Sequence, residues 1–458
     1  MRSIPLFAPG RLVLLCVALV SVAAGPIHGT RAAPRRGVTA DTPRSPEGAL
    51  SAAQVVRGAS VPTTQQCVDA GLVPCYTPSQ IQQAYNVQGL IGSGIDGSGQ
   101  GIVIVVSFGS PTLLDDVAAF STAMNLPQAK IQQLYPLGHE FAPTSTGELA
   151  AWAHETTIDA EWAHALAPGA AITVLASPVD ETEGVQGLPE FRQLEQYALD
   201  NHLGNVISQS WSTSEDLLSD AGGQAERAAW DDLYARANAA GVTILSASGD
   251  HGPLADRPDE MADTVRSANW PASEPSVTAV GGTVLTLNDD GSYGSETVWQ
   301  SGGQASGSGV SSFYGEPAYQ RAALGNDPRP SGQRAIADVA APAQGLILYY
   351  AEGGESGGPH ADLSGGGGTS VATPMWAGIV ALADQMAGEG LGNINPALYA
   401  LGAGGRCFHD VTEGSNAINA DPGEPAVHGW DFPTGWGSPD AGCLVPALAA
   451  SAQAQAGQ

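Results

Sequence analysis

Glu155 and Asp159 stand four residues apart in a stretch where steps of three and four give Trp152, Glu155, Asp159, Trp162 and Leu166. On a helix these share one stripe, so two carboxyls sit in the middle of an otherwise apolar face. Like charges at this spacing weaken a helix slightly, and burying them costs far more. Such a pair should share a proton, with one pKa pushed well up, which turns a carboxylate into a usable base. A solvent-facing stripe, or one met by an arginine, is the competing reading, and the helix alone leaves both open.

Three further groups could contribute chemistry. Gly365-Gly366-Gly367-Gly368-Thr369-Ser370 runs into Val-Ala-Thr-Pro and an apolar helix. A serine opening a helix sits at the positive end of its dipole, where its own N–H can stabilise an oxyanion. The plainer reading is a glycine loop with a capping hydroxyl. Ser246-Ala-Ser-Gly-Asp250 follows a strongly apolar strand. Ligands of open α/β sheets bind beyond the carboxyl ends of strands, which places Asp250 where a site should be, although a turn aspartate is a common alternative. Asp410-Val411-Thr412 and Gly429-Trp430-Asp431 lie in a glycine-rich segment. Carboxylates with backbone carbonyls suit a hard cation such as calcium, whereas two surface aspartates would need no ion.

Positioning these groups requires a framework. Short apolar runs at Ile102–Val106, Ala171–Ala176, Val206–Ser208, Val242–Ser246 and Leu346–Tyr350 read as buried parallel strands. Helical patterns fall near 113–124, 151–166, 189–202 and 224–240, and another from Val371 to Ala387. This alternation predicts an α/β fold with a doubly wound, mostly parallel sheet and helices on both faces. Residues 403–442 show no clear helix or strand, so a metal or a disulfide must order them.

Composition narrows the function. The 46 acidic residues outnumber 17 basic ones for a formal net charge of −29, which argues against nucleic-acid binding. Near pH 4 many of these carboxylates are neutral, and the self-repulsion eases. Arg2 and Arg11 precede the apolar run Leu12–Val22, and Ala23-Ala24-Gly25 offers a cleavage site. Residues 1–25 thus read as an export signal, which predicts a secreted, extracellular protein with no stable membrane association after cleavage. Residues 26–66 read as a flexible leader or short propeptide, 67–446 as one domain, and 447–458 as a tail. Without Cys16, four cysteines remain. Three pairings exist on paper, and sequence proximity favours Cys67–Cys75 and Cys407–Cys443.

Taken together, these features resemble the sedolisin, or serine-carboxyl peptidase, family, which has a subtilisin-like fold. The resemblance rests on Tyr76-Thr-Pro-Ser-Gln-Ile-Gln-Gln-Ala-Tyr85, Glu155-Thr-Thr-Ile-Asp159, Ser210-Trp-Ser-Thr-Ser-Glu215, Ser248-Gly-Asp250 and Trp270-Pro-Ala-Ser-Glu. It continues through Ala337-Asp-Val-Ala-Ala341, Gly367-Gly-Thr-Ser370, Phe408-His-Asp-Val-Thr412 and Gly429-Trp-Asp431. These occur in the family's order from about residue 76 to 446. The resemblance implies Ser370 as nucleophile, Glu155 as its base, Asp159 as the residue that orients that base, and Asp250 in the oxyanion hole. It also implies one structural calcium ion on the side chains of Asp410 and Asp431 and the carbonyls of Val411, Val427 and Gly429. The family often has glycine where this chain has Val427. The implied activity is endopeptidase cleavage of proteins and peptides at acidic pH by a monomer, with no cofactor besides calcium. Family precursors commonly carry a large folded prodomain, and only residues 26–75 separate the signal from the domain here. The expectation is a missing, shortened or separately encoded inhibitor.

Other readings fit less well. Gly354-Glu-Ser356-Gly-Gly-Pro359 mimics two kinds of nucleophile loop, but Gly358-Pro359 makes a helix directly after the serine unfavourable. His154-Glu155 begins like a zinc motif, yet position 158 is Ile. A catalytically silent secreted binding module of the same fold is the second function class, and Ser370→Ala distinguishes it from an enzyme.

Overall fold

The computed structural model describes residues 61–182, 184–254, 265–350 and 362–456. The export signal, most of the leader and the Ser356 loop lie outside the described residues.

The strands are β1 (Gly101–Ser107), β2 (Lys130–Leu134), β3 (Ala171–Ser177), β4 (Val206–Gln209), β5 (Thr243–Ala247), β6 (Thr278–Leu287), β7 (Tyr293–Val298) and β8 (Val339–Pro342). They form one sheet in the order β8-β6-β5-β4-β1-β3-β2, with β7 added antiparallel to β6 and the other pairings parallel. Along β1, Ile102, Ile104 and Val106 enter one hydrophobic cluster, while Val103 and Val105 enter another. A strand with apolar side chains on both faces must be covered on both faces, and this one is.

The helices doing the covering are α1 (Leu113–Ala123), α2 (Thr146–Leu166), α3 (Leu188–Asp200), α4 (Ala221–Ala239), α5 (Thr369–Ala387), α6 (Asn395–Ala403) and α7 (Ala441–Ala456). Residues of α1, α2, α5 and α7 join the cluster on one face, and those of α3 and α4 join the other. Helix α2 starts earlier than its apolar pattern because Ser145 caps it, accepting a hydrogen bond from the Glu148 N–H at 3.1 Å. Helices α2 and α5 touch at Gly378, where an added Cβ would lie 2.6 Å from the Leu166 Cβ.

Four of the five predicted strands lie in this sheet. Leu346–Tyr350 does not: it belongs to β9 (Gln344–Tyr350), an antiparallel hairpin with β10 (Asp362–Gly367). An apolar run alone does not distinguish a core strand from a hairpin arm. The glycines read as a loop continue the partner strand. Strand β2 escaped detection because Lys-Ile-Gln-Gln-Leu has no apolar run and lies at the edge of the sheet. Residues 447–456 are not a tail but the end of α7, with Leu448 and Ala449 buried. Both favoured disulfides form, Cys67–Cys75 and Cys407–Cys443. The second closes the irregular segment, whose regular structure is a two-residue pairing of Phe408–His409 with Ser438–Pro439.

Candidate active site

The sheet delivers its site residues at strand ends. Ser210 immediately follows β4, Asp250 lies three residues past β5, and α2 and α5 supply the rest. Ser370 is the second residue of α5, half-buried, and its hydroxyl is close enough to Glu155 to influence that carboxyl. Glu155 is half-buried as a residue, yet its Oε1 is sealed from solvent. Asp159, one turn further along α2, is fully buried and accepts a hydrogen bond from Ser210 Oγ at 2.8 Å through Oδ1. Its Oδ2 and the Glu155 Oε1 are both buried without a hydrogen-bond partner among the described residues.

Asp250 reaches the same place from the other side. Its Oδ1 accepts from the Thr369 N–H and the Thr369 hydroxyl, each at 2.8 Å. The Thr369 hydroxyl in turn accepts from the Gly249 N–H at 3.2 Å. Gly368 makes this approach possible: its φ is +102°, and a Cβ there would stand 2.7 Å from Asp250 Oδ2. All four residues proposed from the sequence therefore converge, although they come from positions 155 to 370.

The electrostatics are those of acids crowded together. Burial pushes the Glu155 carboxyl up, Asp250 raises it further, and the Ser370 hydroxyl opposes both. Burial also raises Asp159 well above the usual range, reinforced by Glu155, while the Ser210 hydrogen bond lowers it. The neighbouring charges acting on the pair are carboxylates, so the solvent-facing and arginine-paired readings of the stripe do not hold. Together the acids retain protons at pH values where exposed ones are ionised.

Ser210 and Thr369 lie within the family-like motifs but were not among the expected site residues. Their signals were positional: one directly follows a core strand, and the other directly precedes Ser370.

In the 405–440 segment, Asp410 Oδ2 accepts from the Gly429 N–H at 3.0 Å and approaches His428 Nδ1 at 2.6 Å. Asp431 is buried and accepts from the Val427 N–H at 3.0 Å and from the Thr434 N–H and hydroxyl. Burial, with a further push from Asp410, raises its pKa to about 7. The carbonyl oxygens of Val411, Val427 and Gly429 receive no hydrogen bond from the described residues. The oxygen-rich chemistry of these two carboxylates and three carbonyls is compatible with a hard cation, whereas hydrogen bonds already engage both carboxylates.

Comparison with known proteins gives consistent results. The model of the subtilase family matches residues 145–396. The chain is 33% identical over 392 residues to kumamolisin from Bacillus sp. (strain MN-32), spanning 83% of this chain and 65% of that protein. It is 29% identical over 386 residues to sedolisin from Pseudomonas sp. (strain 101), spanning 81% and 61%. Against tripeptidyl-peptidase 1 of Macaca fascicularis it is 30% identical over 319 residues, spanning 64% and 51%. This chain thus covers less than two thirds of the length of these relatives. The solved structure of Pseudomonas sedolisin, a serine-carboxyl proteinase complexed with pseudo-iodotyrostatin, superposes with a TM-score of 0.67 at 26% identity, covering 83% of this chain and 98% of that one.

Proposed function

Because this chain belongs to the subtilase family, within its sedolisin branch, we propose that it is a serine-type peptidase that hydrolyses peptide bonds in acid. The observation that carries this reading is the convergence of Ser370 on a Glu155 carboxyl crowded by Asp159 and Asp250. A serine hydroxyl needs a base in hydrogen-bond reach, and a carboxylate becomes an adequate one when burial raises its pKa.

In the proposed reaction the Ser370 oxygen attacks the scissile carbonyl carbon as its proton passes to Glu155. Asp159 retains a proton and orients Glu155. A protonated Asp250 donates a hydrogen bond to the oxyanion, and the Ser370 N–H at the start of α5 points toward the same developing charge. Glu155 then returns its proton to the leaving amine, and water hydrolyses the acyl-serine by the reverse transfer. An aspartic acid donates only while protonated, so rising pH disables the oxyanion hole and the pair together. Activity should therefore be highest in acid.

The test assays casein and a quenched peptide from pH 2 to 9 with wild type and Ser370→Ala. An acid optimum abolished by the substitution, with unfolding unchanged, supports the reading. A neutral-to-alkaline optimum contradicts it. Endopeptidase action is proposed over tripeptide release, and cleavage of a peptide acetylated at its N-terminus decides between them. Calcium is proposed on Asp410, Asp431 and the carbonyls of Val411, Val427 and Gly429, where it would neutralise the carboxylates and order the segment. Chelation should then lower the unfolding temperature of wild type but not of Asp431→Asn. Secretion as a monomer is proposed from the export signal and the two disulfides, and among the described residues no helix is long and apolar enough to cross a membrane.

A further inference from the structure

Ser370 begins a helix in which one backbone donor is missing. In an α-helix the carbonyl of residue 370 accepts from the N–H of residue 374, and residue 374 is Pro374, inside α5. The hydroxyl of Ser210 lies 3.1 Å from that carbonyl oxygen, in place of the absent N–H. The same hydroxyl lies 2.8 Å from Asp159 Oδ1. Ser210 is buried at 9% exposure, so bulk water is a poor substitute donor.

One hydroxyl hydrogen cannot serve two acceptors equally. The Ser370 carbonyl accepts only, whereas Asp159 accepts when ionised and can donate when protonated. With Asp159 protonated on Oδ1, a continuous chain forms: Asp159 donates to Ser210, and Ser210 donates to the Ser370 carbonyl. With Asp159 ionised, the stronger charge-assisted bond draws the hydrogen to the carboxylate. The Ser370 carbonyl then faces a hydroxyl lone pair.

We propose that Ser210 is a positioning residue that couples the protonation of Asp159 to the turn carrying the Ser370 nucleophile. The groups facing Asp159 are Glu155 on its own helix, Ser210 after β4 and the Ser370 carbonyl at the start of α5. Asp250 acts on it through Glu155. None supplies a positive charge, so the position of this one proton decides which contacts are satisfied. The inference rests on the peptidase reading for its kinetic test and on geometry alone for its spectroscopic one.

The kinetic test compares pH profiles of kcat and kcat/KM for wild type, Ser210→Ala and Ser210→Thr. Ser210→Ala should lower kcat about tenfold at unchanged KM, the weight of roughly one hydrogen bond. Its basic limb should move up by on the order of one pH unit, because the Asp159 carboxylate has lost its donor. Ser210→Thr, which keeps the hydroxyl, should restore the limb. A lower kcat with an unmoved limb would reduce Ser210 to packing and overturn the proposal. The spectroscopic test follows the protonated carboxyl of Asp159 by difference infrared titration, assigned with Asp159→Asn. An upward shift in Ser210→Ala supports the coupling and an unmoved titration overturns it, whether or not the protein cleaves peptides. If the wild type cleaves nothing, the peptidase reading falls and this titration alone judges Ser210. Should Ser210→Ala not fold, Ser210→Cys, of similar size with a weaker donor, carries both measurements.

Discussion

Asp338 and Asp159 are both fully buried, yet they are built into the protein in opposite ways. Asp338 Oδ1 accepts from Arg334 Nη1 and from the Tyr399 hydroxyl, each at 2.7 Å. Its Oδ2 accepts from Arg334 Nη2 at 2.6 Å and from the Ala279 N–H at 2.8 Å. Every lone-pair direction is used, and the guanidinium is as buried as its partner. Asp159 has one hydroxyl donor and one oxygen with no partner among the described residues. A carboxylate saturated with donors and a cation clamps β6 to the segment before β8. One left undersupplied holds a proton that can move. Burial is common to both sites, and the partners decide whether the group braces the fold or is available for chemistry.

This contrast can be broken experimentally. The largest expected effect is at the undersupplied site. Glu155→Gln should cut kcat/KM by roughly 10³–10⁴, as for the loss of one member of a catalytic triad, while the unfolding midpoint is kept or raised. A loss of folding instead would mean that the pair is structural like Asp338. Next comes Arg334→Met, which strands Asp338 and should cost about 3–5 kcal/mol in denaturant unfolding; adding Asp338→Leu should recover much of it. If the single change is tolerated, the clamp is not one.

The third expectation concerns pH. Burial raises Glu195 and Asp384 to about 8 and Glu274 to about 7, in each case against an opposing hydrogen bond. An acid whose folded pKa is raised binds more protons folded than unfolded. Its contribution is fully present below the unfolded pKa, near 4, and is lost as pH rises through the folded value. Stability should therefore decline from about pH 4 to about pH 8, as followed by thermal unfolding across that range. A flat or rising curve would contradict the protonated interior. The last measurement isolates one contributor. Glu195→Gln keeps the size and the hydrogen bond with Gln209, and should raise stability at pH 8 by the share of the decline that Glu195 supplies, with no change at pH 4.

How much of this was legible beforehand follows the range of the interactions. Core strands such as Ile102–Val106 announce themselves through continuous apolar runs, and α2 through its periodicity. Ser370, Glu155, Asp159 and Asp250 were nominated by local setting, and their order along the chain resembled a known family. The Arg334–Asp338 clamp was invisible because a spacing of four suggests a helix, whereas Gln333–Ile336 is a strand and the chain turns before Asp338. The place of Ser210 was equally hidden. It depends on Pro374, a helix-interior proline 164 positions away, creating a vacancy that only three dimensions show.

Gly378 has a consequence beyond packing. It lies roughly two turns along α5 from Ser370, where α5 packs directly against α2. Because each helix is internally stiff, the gap between Ser370 and Glu155 is gauged at this remote crossing. A single methyl inserted there would act as a shim, leaving every reacting group in place on its own helix while detuning the distance between them. The separation of Ser370 from Glu155 is thus adjustable from a point that an inspection of those two residues would never single out.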